Sequence, residues 1–143
     1  MPDAVSMLND LLNAEHSSLV NRLREAGPFV SQATAKERLI VDQMLADEVN
    51  HERGLAELIV WLRGTPDAGV VPTEVGGLHY LTLSFLMPQI IASKEQLIRA
   101  YESAGSSGIQ RVDEFKNRCL ENHRRHLQDL RRIHGGMTAT AAH

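Results

Sequence analysis

At 143 residues and 15.9 kDa the chain has the size of one ordinary domain, and a hydrophobic share of 43% supplies a core and excludes a disordered or fibrous class. An aromatic share of 4% and a net charge of −3 argue against an all-β domain and against a polyanion-binding face, so no nucleic-acid partner is expected. The single cysteine, Cys119, excludes an internal disulfide, a paired-cysteine redox motif and a cysteine-based metal site, and a reducing cytoplasm is the expected location.

The first 21 residues contain no Lys or Arg, which argues against a signal peptide. The longest apolar run, Leu78 to Ala92, is broken by His79 and Pro88 and is too short for a bilayer, so no membrane partner is expected.

In chain order, the spacing of Leu8, Leu11, Leu12, Leu19 and Leu23 predicts a first helix over about residues 5–25. Thr34 stands three residues before Glu37, a capping-box pattern, and opens a second helix over about 35–63 that stops at Gly64-Thr65-Pro66. Residues 64–80 hold four glycines, two prolines and no helical period, which predicts a connection of about 17 residues, long enough to run the length of a bundle. A third helix is expected over about 81–104, with Ile91 and Ile98 inward and Pro88 kinking it or marking a restart. A fourth is expected over about 109–134, ended by Gly135-Gly136 and followed by a frayed tail from Met137. Four amphipathic helices bury their stripes most simply against one another, so an all-α four-helix bundle spanning residues 1–143 as one domain is predicted.

Polar residues interrupt these stripes. On the second helix the inward register 41, 44, 48, 51, 55, 58, 62 places Glu48 and His51 in the core, and on the fourth the register 119, 123, 126, 130, 133 does the same for His123 and His126. Glu15 lies between Leu12 and Leu19, with His16 as the competing inward residue, and Glu95 lies between Ile91 and Ile98. A carboxylate in a bundle core costs several kcal/mol unless paired or metal-bound. Mirroring antiparallel neighbours about their loops brings Glu15 level with position 48 and Glu95 level with position 122, so all six residues share one layer.

Over roughly residues 5–134, with Glu15, Glu48-x-x-His51, Glu95 and His123-x-x-His126, the sequence resembles the ferritin-like di-iron carboxylate superfamily. The resemblance implies an antiparallel ferritin-like four-helix bundle with a long connection between helices two and three. It implies two iron ions per chain, with manganese or zinc as substitutes, and redox chemistry with dioxygen or peroxide of the ferroxidase or oxidase class. Glu15, Glu48, His51, Glu95 and His126 match the family ligands, while His123 stands where the family has a glutamate. A single ion, or zinc held by His51, His123, His126 and one glutamate, is the alternative. The other readings are a metal store or carrier without turnover and a metal-free interaction module whose polar residues set helix register. The chain lacks length for a fifth helix, so a homodimer or small homo-oligomer is expected rather than a cage. Cys119, Trp61, Tyr80 and Tyr101 are expected to pack, and Arg118, Arg124, Arg125, Arg131 and Arg132 to form a solvated face.

Overall fold

The computed structural model describes residues 3–18, 35–69 and 83–141. Among the described residues there are four helices and no strand: α1 (Ala4–His16), α2 (Ala35–Trp61), α3 (Leu83–Ala104) and α4 (Gln110–Ala141). None of them is long and apolar enough to cross a membrane. Thr34 of the expected capping box, the second half of the expected first helix and most of the long connection lie outside the described residues.

The helices bury their stripes in two apolar clusters. One joins Leu8, Leu11 and Leu12 of α1 to Leu55, Leu58 and Ile59 of α2, Leu97 and Tyr101 of α3, and Val112 and Cys119 of α4. The other joins Val41 and Met44 of α2 to Leu86, Met87 and Ile90 of α3 and to Leu130 and Ile133 of α4. Each fully buried Leu or Ile contributes about 1.5–3 kcal/mol, so these clusters hold the bundle together. Between them, on every helix, the inward stripe turns polar.

The helix ends differ from expectation in instructive ways. α1 stops at His16, where Ser17 N–H bonds Asn13 and Ser18 N–H bonds Glu15 in a tightened last turn, and the hydroxyl of Ser18 is taken by Glu48. α2 ends in a Schellman pattern, with Arg63 N–H on the Val60 carbonyl and Gly64 N–H on that of Ile59. The left-handed residue is Arg63 (φ 65°) rather than Gly64. Gly64 is needed for space, because a Cβ there would meet Val5 Cγ1 at 2.6 Å. The connection that follows is pinned to α1 by Asn9, which accepts from Asp67 N–H at 2.7 Å and donates to the Thr65 carbonyl at 3.2 Å.

α3 passes through Pro88 without a restart, the proline standing exposed in the second turn. α4 does not stop at Gly135-Gly136 but continues to Ala141, which replaces the expected frayed tail with helix. Neither glycine has a positive φ, so both keep a helical backbone, at a cost of about 1 kcal/mol each.

The turn between α3 and α4 is built around Asp113, in the first turn of α4. Its Oδ1 accepts from Ser107 N–H and Ser107 Oγ, both at 2.8 Å, and its Oδ2 accepts from Ser106 Oγ at 2.8 Å. The Ser107 backbone N–H, ahead of the two serine hydroxyls and Lys116, overcomes partial desolvation and holds the carboxyl down to about 2. A carboxyl depressed in the folded state stabilises above its unfolded value of 3.8 and loses that contribution as pH falls towards 2. Asp113→Ala should therefore cost about 1 kcal/mol in urea unfolding at pH 7, and progressively less as pH falls from about 4 through 2.

Candidate metal centre

Five positions that the sequence assigns to the core meet in the polar layer. Glu15, Glu48 and His123 have no exposed surface, and His51 and His126 are buried. Glu15 sits at the C-terminal end of α1, Glu48 and His51 one turn apart on α2, and His123 and His126 one turn apart on α4. Their inward projection follows from unbroken steps of three and four between Met44 and Leu55 and between Cys119 and Leu130. The rival for the α1 position, His16, turns to the rim and pairs with Glu52 at 2.7 Å.

Glu95 does not join the layer. It lies at the surface, its side chain 37% exposed, with Arg131 Nη2 3.6 Å from its Oε2. The inward register of α3 is 87, 90, 94, 97 and 101, and the residue it delivers to the core is Lys94, 1% exposed. A helix turns by about 100° per residue, so bringing Lys94 inward carries Glu95 out. Counting apolar residues would have found this register: Met87, Ile90, Leu97 and Tyr101 line it, whereas the 91, 95, 98 register offers two isoleucines.

Lys94 Nζ donates to Glu48 Oε2 at 2.6 Å, to His123 Nδ1 at 2.9 Å and to His126 Nδ1 at 3.0 Å, which uses all three ammonium protons. Imidazoles that accept at Nδ1 carry their proton at Nε2. His123 Nε2 accordingly donates to Glu15 Oε1 at 2.6 Å, and His126 Nε2 to Asp47 Oδ2 at 2.8 Å. Glu48 Oε1 accepts from Ser18 Oγ. The result is a continuous hydrogen-bonded chain, Asp47, His126, Lys94, His123, Glu15, running from the half-buried edge of the bundle to its interior.

Glu15 ends that chain unevenly. Its Oε1 accepts from His123 and also from Tyr101 Oη at 2.6 Å and His51 Nδ1 at 3.1 Å, whereas its buried Oε2 has no hydrogen-bond partner among the described residues. Burial pushes this carboxyl up, but the electrostatic pull and N–H hydrogen bonds of the His123 and then the His51 rings outweigh it and hold it down to about 2, so it is ionised at neutral pH. His123 is shifted the other way, burial lowering it more than Glu15 raises it. His126 is brought down to about 3 by burial and then by the neighbouring Lys94 charge, against the pull of Asp47. Both imidazoles are neutral at pH 7, the form a metal requires.

Two sets of buried residues have ligand atoms within 4.8 Å of one another: Glu15, His51 and His123, and Glu48, His123 and His126. The first set fits an ion on chemical grounds, since two imidazoles and a carboxylate with one oxygen unpartnered are what a divalent transition metal takes. The second set is occupied by the ammonium of Lys94.

Access is from the groove between α2 and α4. A cavity of about 330 Å³ there is lined by His51, Phe115, Arg118, Cys119 and Arg125, and a second of about 320 Å³ reaches Asp47 and His126. Cys119 is a buried core residue, its thiol pushed up to about 12 by burial and then by Glu15, so it is no thiolate ligand at neutral pH. Tyr101, expected only to pack, is a site residue through Glu15; Trp61 is half exposed beneath Arg111, and Tyr80 lies outside the described residues.

Comparison of the chain with protein-family models, with characterised proteins and with solved structures finds no match.

Removing a donor to a buried charge costs about 2 kcal/mol, so Tyr101→Phe should lower stability by that amount in chemical unfolding. Glu95→Gln, at the surface, should change it by no more than about 0.5 kcal/mol.

Proposed function

We propose that the chain is a metal-binding bundle of ferritin-like arrangement, its helices antiparallel with a long connection between α2 and α3. In this reading Glu15, His51 and His123 hold a transition-metal ion, iron first, with manganese or zinc as alternatives. The observation that carries it is the buried, mutually close set of one carboxylate and two imidazoles in which Glu15 Oε2 lacks a partner. When bound, the ion supplies redox chemistry with dioxygen or peroxide, the ferroxidase or oxidase class, at a donor set that leaves coordination positions open.

The chain's own residues prepare that site. Tyr101 and the surrounding apolar cluster fix Glu15 in place, and the low pKa of His123 keeps its ring neutral. Its Nε2 proton, now given to Glu15, leaves when that atom becomes a ligand, so loading releases protons and weakens as pH falls. The opening beside His51 admits a small reactant, and at its mouth Arg118 and Arg125 outnumber Glu121, which leaves a net positive rim.

The test is elemental analysis of tag-free protein after anaerobic reconstitution with ferrous iron. The wild type should retain iron and melt at a higher temperature than the metal-free chain; Glu15→Ala and His51→Ala should lose the iron, and Glu95→Ala should keep it. A wild type that holds no metal and melts identically with chelator or iron would assign the layer to helix register alone.

A further inference from the structure

The second ligand set has the composition of an ion site and a side chain in the ion's position. Glu48, His123 and His126 are close enough to share one ion, and Lys94 Nζ bonds all three at 2.6–3.0 Å. Each of those bonds ends on a lone pair that an ion would use. We propose that the Lys94 ammonium replaces the second metal ion of the layer, so that the protein takes one ion, at Glu15, His51 and His123, and not two. This rests on the layer being a metal centre.

Charge supports the count. The layer contains three carboxylates, Glu15, Glu48 and Asp47, and one ammonium, with His123 and His126 neutral. One divalent ion makes that set neutral, or leaves it at −1 once the Nε2 proton of His123 is displaced. A second ion beside the ammonium would add two further positive charges where water is excluded, at a cost of several kcal/mol per ion. Lys94 has no alternative place for its charge: the side chain is fully enclosed between Ile90 and Leu97, and its ammonium already has every bond it can donate. Nor can the neighbouring carboxylate enter in its stead, because Glu95 projects to Arg131 on the outer face.

Metal content of the full chain, measured after saturation with ferrous iron without oxygen and separately with zinc, tests this. The wild type should saturate at one ion per chain. Lys94→Glu should saturate at one more than the wild type, and the extra ion should be lost again when His126→Ala is added. Lys94→Met leaves Glu48 stranded, so its metal-free form should melt about 10 °C below the wild type and recover when divalent ions are added. Two ions in the wild type overturn the proposal and leave the metal centre standing. A folded Lys94→Glu variant with no more metal than the wild type, or a metal-free Lys94→Met variant that melts with it, also overturns it. An empty wild type together with one ion gained in Lys94→Glu removes the ion at Glu15 and leaves the role of Lys94 intact. Should Lys94→Glu not fold, the wild-type count and the Lys94→Met melting temperature decide.

Discussion

Two carboxylates without access to water, Glu15 and Glu48, are the constraint that the rest of the bundle answers. Each would cost several kcal/mol if left alone. Glu48 is met by an ammonium from α3 and by a hydroxyl just past the end of α1. Glu15 is met by a phenol from α3 and by imidazoles from α2 and α4. Partners therefore come from every helix, and sliding any helix by one turn would strand at least one buried charge. Apolar stripes tolerate such slips, since one leucine replaces another; the polar layer does not.

The division of labour follows. Two apolar clusters, above and below the layer, provide the bulk of the driving force, while the layer fixes which register they adopt. The clusters also keep the layer dry, which strengthens every bond inside it and makes an unmatched atom conspicuous. Glu15 Oε2 is that atom, and it lies in the part of the layer where no lysine reaches.

What the sequence made legible was set by how unambiguous each stripe is. On α2 and α4 the apolar positions flank the polar ones on both sides, so Glu48, His51, His123 and His126 were placed in the core from spacing alone, and the structure buries all four. On α3 two stripes compete at an offset of one residue, and Ile91 and Ile98 point to the one containing Glu95. A lysine in a core is rarer than a glutamate outside one, but Lys94 is possible here because its three acceptors come from two other helices, a fact of tertiary structure that no local pattern carries. The same holds for Tyr101, whose partner is 86 positions away in the chain. The end of α4 was misjudged for the opposite reason: two glycines signal a stop, yet nothing packs against them and nothing after them terminates the helix.

Where α2 and α4 approach beneath the opening to His51, the ring of Phe115 occupies the space that a side chain at Gly54 would need, with Cζ 2.1 Å from the position of a Cβ. The interhelical distance at this level is thus the thickness of one aromatic ring against bare backbone, not the mesh of two aliphatic rows. Positions 54 and 115 consequently behave as a single unit of sequence: an enlargement at one is tolerable only with a reduction at the other. Drift in this protein should change them together or not at all, and with them the width of the doorway to the buried histidines.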